Sequence, residues 1–145
     1  RLRRYFPGCA LTADMITGFP GETEADQAAA VAFLEQVGFA AVHVFPYSRR
    51  PGTKADAMPE QLSHAVKSAR AHEAQRVADA CKQRYLVQQV GQTLPVLFET
   101  EHDGSWVGHS DNYCLVRAAG DDLRGLVKNV KISAVSGQML VGDLV

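Results

Sequence analysis

The chain has 145 residues, 15 Lys and Arg against 16 Asp and Glu, a net charge of −1 and 46% hydrophobic residues. This suits one ordinary domain or two small ones with a buried core, and it excludes a protein that holds nucleic acid or a membrane surface by its overall field. No stretch approaches the ~20 consecutive apolar residues of a membrane span, and no signal-peptide core follows the N-terminus, so the expectation is a cytoplasmic protein with no membrane partner. Cys9, Cys81 and Cys114 are too scattered for a disulfide framework or a self-contained metal site. The opening "RLRRYFPGC" has no Met and reads as a cut through a longer protein.

In chain order, residues 11–19, "LTADMITGF", read as a short buried strand whose apolar members are Met15, Ile16 and Phe19. Thr23 followed by Glu24, Ala25 and Asp26 has the pattern of an N-cap with acids in the first turn, where they face the positive end of the helix dipole. Val31, Phe33, Leu34 and Val37 recur at helical spacing, and Gly38 stands where a left-handed C-terminal residue belongs, which predicts a helix from about Glu24 to Val37. "FAAVHVFPY" returns to strand character through Val42, Val44 and Phe45 and is stopped by Pro46. Strand, helix and strand form a βαβ unit with parallel strands and a right-handed crossover. Such a unit cannot bury its faces alone, so the remaining strands of an α/β sheet are expected upstream of Arg1.

Pro59 is expected to open one long helix, with Leu62, Val66, Ala69, Val77, Cys81 and Tyr85 as its apolar stripe, ending before Gly91. From Gln92 onward short apolar runs alternate with Gly, Asp, Asn and Ser at the spacing of strands in a small barrel. The expected fold class is therefore α/β plus small all-β. The domain change falls between Tyr85 and Gly91, giving residues 1–84 with the connecting helix and residues 85–145 as the barrel.

The turn "TGFPGE" poses the chemical question. A phosphate loop needs a Lys after its second glycine, whereas Glu22 follows Gly21, and Gly18 and Gly21 lack the third glycine of a dinucleotide fingerprint. Two readings remain: a tight strand-to-helix turn that Glu22 decorates, or the border of a cofactor at the strand's carboxyl end. In the second, Gly18 admits an adenine to the backbone, Ile16 and Phe19 wall it, and Glu22 accepts from an amine or hydroxyl. Arg49 and Arg50 are either a solvated loop or a clamp for carboxylate or phosphate, and His43 reads more readily as a strand histidine than as a base.

"ADMITGFPGETEAD", followed by "HVFPYSRRPGTKA", closely resembles the radical S-adenosylmethionine methylthiotransferases, and "VLFETEHDGSWVGHSDNYCLVRA" is similar to their C-terminal TRAM module. The resemblance spans nearly the whole chain. It implies the C-terminal βαβ part of a radical SAM partial TIM-like barrel, a long helix and an OB-like TRAM β-barrel. Implied cofactors are S-adenosyl-L-methionine and 4Fe-4S clusters, whose CxxxCxxC ligands are not in this sequence, so the chain alone is expected to carry no catalytic or metal-binding residue and to be inactive. Implied partners are tRNA and a reductant protein for the cluster.

Carried onto this chain, the resemblance puts Ile16, Gly18 and Glu22 on the cofactor, with Phe45, Pro46 and Tyr47 lining the same site. Asp14, Ser48, Arg50 and Thr53 fall on recurring polar positions, the last three facing substrate or tRNA. Trp106 and Tyr113 are expected to stack on bases while Arg117 and Lys128, with Arg124 and Lys131, track phosphates. Against this, the segment from Tyr85 carries four Lys and Arg but seven Asp and Glu, and core packing of Trp106 and Tyr113 is the alternative. The run "HVFPYSRRPGT" looks most like the members that insert a methylthio group at C2 of N6-threonylcarbamoyladenosine at tRNA position 37. Members acting on isopentenyladenosine, or on a ribosomal-protein aspartate, are alternatives, and a noncatalytic RNA-binding remnant is an alternative of another class.

Overall fold

The computed structural model describes residues 2–145. The chain divides into two compact units, one of Leu11–Lys82 and one that joins the residues up to Ala10 with Gln83–Val145.

In the first unit β1 (Thr12–Thr17) and β2 (Ala41–Pro46) pair in parallel, in a register that sets Asp14 opposite His43 and Ile16 opposite Phe45. Between them runs α2 (Glu24–Val37); the four-residue α1 (Leu2–Tyr5) belongs to the other unit. Thr23 caps α2 reciprocally: its hydroxyl accepts the Asp26 amide at 3.1 Å, and the Asp26 carboxylate accepts the Thr23 amide at 2.9 Å. Gly38 ends α2 at φ 60° with its amide on the Leu34 carbonyl at 2.9 Å, a conformation that costs glycine little.

The long helix α3 (His64–Gln89) begins five residues after Pro59, because Ser63 supplies the cap that Pro59 cannot: the Ser63 side-chain oxygen accepts the Val66 amide at 3.3 Å. Its buried line also differs from the expected stripe. Ala74, Val77, Ala78 and Cys81 pack with Leu34 and Val42, against Ala13, Met15, Val31, Phe39 and Val44, while Val66 and Ala69 are exposed. Strand alternation gives β1 one covered face only. Met15 and Thr17 point inward, whereas Ile16 stays 57% exposed, and Phe19 beyond the strand is 41% exposed, so the expected buried strand is half-buried. No further strand pairs with β1 or β2 among the described residues.

In the second unit β3 (Thr93–His102), β4 (Ser105–Ser110), β5 (Leu115–Ala118), β6 (Val127–Ser136) and β7 (Met139–Leu144) close into a barrel in the order β3-β4-β5-β7-β6. Val96, Phe98, Val116, Val130, Ile132 and Leu140 fill its interior, and Leu86 and Tyr85 of α3 are buried in the same unit. Two irregularities curl the sheet. The register shifts between Phe98 and Thr100 and between Ile132 and Ala134, and at Gly108 and Gly142 neighbouring backbone approaches so closely that a Cβ would strike the carbonyl oxygens of Leu97 and Lys131. Bulges facing glycines are how a short sheet turns a corner and closes without edges.

Candidate functional site

Two surfaces carry the expected site residues, one in each unit. The first is the open face at the carboxyl end of β1 and β2. The parallel register places Ile16 beside Phe45, 57% and 52% exposed, as an apolar shelf two side chains wide. The His43 ring stacks along Phe45 at 6.5 Å and 24°, so it extends this shelf. Pro46 pairs with Thr17, and Tyr47 follows with its amide on the Thr17 carbonyl at 2.8 Å. The Tyr47 ring meets Phe19 edge-on at 5.2 Å and lies 4.9 Å beneath the Lys67 ammonium. Its hydroxyl is buried without a protein partner among the described residues.

The turn after β1 is held by charges rather than by apolar packing. Gly18, at φ +71°, donates its amide to Glu22 Oε1 at 2.9 Å. The same oxygen takes Nη1 of Arg70 at 2.7 Å, and Arg70 also donates to the Glu22 carbonyl at 2.9 Å and to Glu24 Oε1 at 2.5 Å. Arg70 is only 6% exposed. The Glu24 carboxylate, and then that of Glu22, raise its pKa from the ordinary value against the opposing effect of burial. Gln27, buried, fixes the far side by donating to the Arg70 carbonyl at 3.2 Å and to Glu73 at 2.9 Å. A Cβ on Gly18 would lie 2.6 Å from Cγ of Lys67. Glycine is therefore demanded here by the close approach of α3, whatever else meets its backbone.

The apolar stripe expected for α3 leaves out Arg70 and Lys67. The available signal was positional: Arg70 stands four residues before Ala74 on the buried line, and a charge on an apolar stripe requires partners.

The loop after β2 carries the expected polar residues. Arg49 is engaged, donating to the Asp56 carboxylate at 2.7 Å and to its carbonyl at 2.8 Å. Arg50 is exposed, and among the described residues its carbonyl alone is used, by the Thr53 hydroxyl at 2.9 Å and the Thr53 amide at 3.2 Å. Thr53 is thus a loop staple, its hydroxyl also accepting the Asp56 amide at 3.2 Å. Ser48 and Arg50 are exposed, and Asp14 is exposed on the same strand face as Ile16.

The second surface is on the barrel. Tyr113 is 86% exposed at φ 61°, on a loop closed by the Ser110 hydroxyl, which donates to the Cys114 carbonyl and accepts the Cys114 amide, each at 3.1 Å. Beside it a groove of about 560 Å³ is lined by Pro95, Leu97, Val127, Glu99 and His109, the last two paired at 2.5 Å. Trp106 is only 7% exposed, so its ring belongs to the packed interior and is not offered to a base. Arg117 and Lys128 are exposed, but they lie on β5 and β6 with β7 between them, and Lys131 bonds the Gly91 carbonyl. Tyr113 is the aromatic residue the barrel presents; the basic residues form no single row. Among the described residues no three His, Cys, Asp or Glu gather as a metal site.

No protein-family profile matches the chain. Curated proteins do, along nearly all of it. The threonylcarbamoyladenosine tRNA methylthiotransferase MtaB of Bacillus subtilis is 37% identical over 138 residues, 91% of this chain and 31% of that protein. The tRNA-2-methylthio-N(6)-dimethylallyladenosine synthase of Maricaulis maris is 40% identical over 147 residues, 99% of this chain and 32% of that protein. The synthase of that name from Campylobacter jejuni is 35% identical over 147 residues, 100% and 34%. The chain thus spans about a third of the length of the relatives it matches.

Proposed function

We propose that this chain, which belongs by sequence to the tRNA methylthiotransferases, is the C-terminal part of an enzyme that adds a methylthio group to N6-threonylcarbamoyladenosine in tRNA. In this reading the βαβ unit closes a radical SAM partial barrel, and the five-stranded barrel is a TRAM module. The domain change is proposed to fall within α3, close to the division of the two compact units after Lys82, with the residues up to Ala10 grouping with the barrel rather than with the βαβ unit.

The βαβ unit fits the adenosyl group. Ile16 and Phe45 make an exposed apolar shelf at the carboxyl ends of parallel strands, where α/β sheets take ligands. Ile16, Phe45 and Pro46 would carry the ring, and the Gly18–Glu22 turn and Tyr47 would bound it. When bound, S-adenosylmethionine and an iron–sulfur cluster held by other residues of the enzyme supply the radical chemistry. The residues of this chain bind, orient and exclude water. Glu22 does so indirectly, its carboxylate holding the Gly18 amide and the Arg70 guanidinium.

The observation that carries the choice of substrate is the difference between two adjacent arginines. Arg49 is committed to Asp56, whereas the Arg50 guanidinium is exposed and meets no carboxylate or carbonyl among the described residues. A threonylcarbamoyl group bears a carboxylate that a guanidinium grips with two parallel hydrogen bonds; a dimethylallyl group has nothing for it to hold. Tyr113 would then stack on a tRNA base, with Ser48, Arg117 and Lys128 as outlying polar contacts.

The test uses the full-length, iron-loaded enzyme and tRNAs that carry either modified adenosine, with methylthio-nucleoside measured by mass spectrometry. Product from the threonylcarbamoyl substrate, lost in Arg50→Ala, is the expected result. Product from the dimethylallyl substrate alone replaces this assignment with the one named for the Maricaulis and Campylobacter relatives.

A further inference from the structure

Nothing in the barrel or loop explains why the most heavily bonded side chain of the βαβ unit is an arginine of α3. Arg70 is 6% exposed and reaches across 48 residues of sequence to Glu22, bonding both its carbonyl and its carboxylate, and on to Glu24. A helix that needed only to bury this face would use another alanine, as it does at Ala74 and Ala78. The guanidinium instead holds the one carboxylate oxygen that also takes the Gly18 amide.

We infer that Arg70 is a positioning residue for the cofactor turn: it fixes the Glu22 carboxylate, which fixes the Gly18 amide and so the path of the backbone as it leaves the Ile16 and Phe45 shelf. The inference rests on the reading of that shelf as the adenosyl site. Geometry makes the coupling direct. Two donors share Oε1, Arg70 at 2.7 Å and Gly18 at 2.9 Å, so withdrawal of either changes the orientation that suits the other. A lysine at this position keeps the charge but not the planar fork that spans Glu22 and Glu24 together. On the same helix, Lys67 packs against Gly18 and caps the Tyr47 ring, so one turn of α3 braces both walls of the shelf.

The experiment compares the full-length enzyme with its Arg70→Lys and Glu22→Gln variants. Three readouts are taken: hydrogen–deuterium exchange of the segment 18–24 in the iron-free protein, S-adenosylmethionine affinity of the iron-loaded protein, and KM for tRNA. A positioning role predicts roughly tenfold weaker S-adenosylmethionine binding and faster exchange confined to 18–24, with iron content and tRNA KM unchanged. If Arg70→Lys loses structure, Glu22→Gln must show the same local pattern. Unchanged affinity in both variants, or exchange that quickens evenly throughout the protein, overturns the inference. Failure of the wild-type enzyme to bind S-adenosylmethionine instead overturns the reading of the shelf, and the local exchange result then decides alone whether Arg70 holds the turn.

Discussion

Nη1 of Arg70 lies 2.7 Å from Glu22 Oε1, with the arginine side chain 6% and the glutamate 15% exposed, so the pair is held out of water on both sides. Removing one member of such a pair strands the other. Arg70→Ala is expected to destabilise the chain by about 3–5 kcal/mol, the cost of an uncompensated buried charge. Glu24→Ala serves as the contrast. Although Glu24 bonds the same guanidinium, it is 87% exposed, and its loss should cost about 1 kcal/mol or less. Urea unfolding of the two variants checks the ordering; equal losses would falsify it.

The cap of α2 predicts a pH-dependent defect. Thr23 and Asp26 share three hydrogen bonds, the Thr23 hydroxyl also donating to the Asp26 carboxylate at 2.6 Å, and Thr23→Ala should cost about 1 kcal/mol at neutral pH. The side-chain hydrogen bond from Thr23, then its backbone amide, holds the Asp26 carboxyl below 3.8. A carboxyl depressed in the folded state contributes stability that is present above its unfolded pKa and is lost as the pH falls through the folded value. The difference between wild type and Thr23→Ala should therefore be constant above about pH 5 and shrink below 3.8. A difference that is flat down to pH 2 sinks this account.

Tyr85 behaves in the opposite sense. Burial pushes its phenol up from 10 to about 12, and its hydroxyl donates to the Gly8 carbonyl at 3.0 Å. A proton held more tightly by the folded state stabilises fully below the unfolded pKa, and that contribution disappears as the pH rises through the folded one. Tyr85→Phe cannot ionise. The margin of wild type over this variant should hold up to pH 10 and decline between 10 and about 12, measured as urea midpoints at each pH.

What could be read from the sequence was local chemistry with a fixed offset. The bounds of α2 followed from Thr23, Asp26 and Gly38, because a cap and a left-handed stop act within one turn. The β-strand runs of the barrel were visible through alternation, and the motif turn through Gly18, Gly21 and Glu22. What was not legible depends on which elements meet. Whether Ile16 is covered depends on the strands beside it, and Trp106 differs from Tyr113 only through strand and loop geometry, one being buried at 7% and the other exposed at 86%. Arg70 was hidden because its partners lie 46 and 48 residues away, beyond the reach of any periodicity.

That difference between the barrel's aromatics supplies the final prediction. Trp106→Ala removes a large side chain from a packed interior and should cost about 3–5 kcal/mol in stability. Tyr113 is solvent-facing at φ 61°, a conformation that a tyrosine holds only under constraint. Tyr113→Gly therefore relieves strain while removing the ring, and the variant should be as stable as wild type or slightly more so. If the barrel meets tRNA through this ring, the same change in the full-length enzyme should weaken tRNA binding by about 1–3 kcal/mol with the salt dependence unaltered, since stacking releases no counterions. Arg117→Ala and Lys128→Ala should do the reverse, lowering the slope of log affinity against log salt by about one each if they touch phosphate. Binding titrations at several salt concentrations separate the two effects. A Tyr113→Gly enzyme that binds tRNA like wild type removes the ring from the interface and leaves it to Arg117 and Lys128.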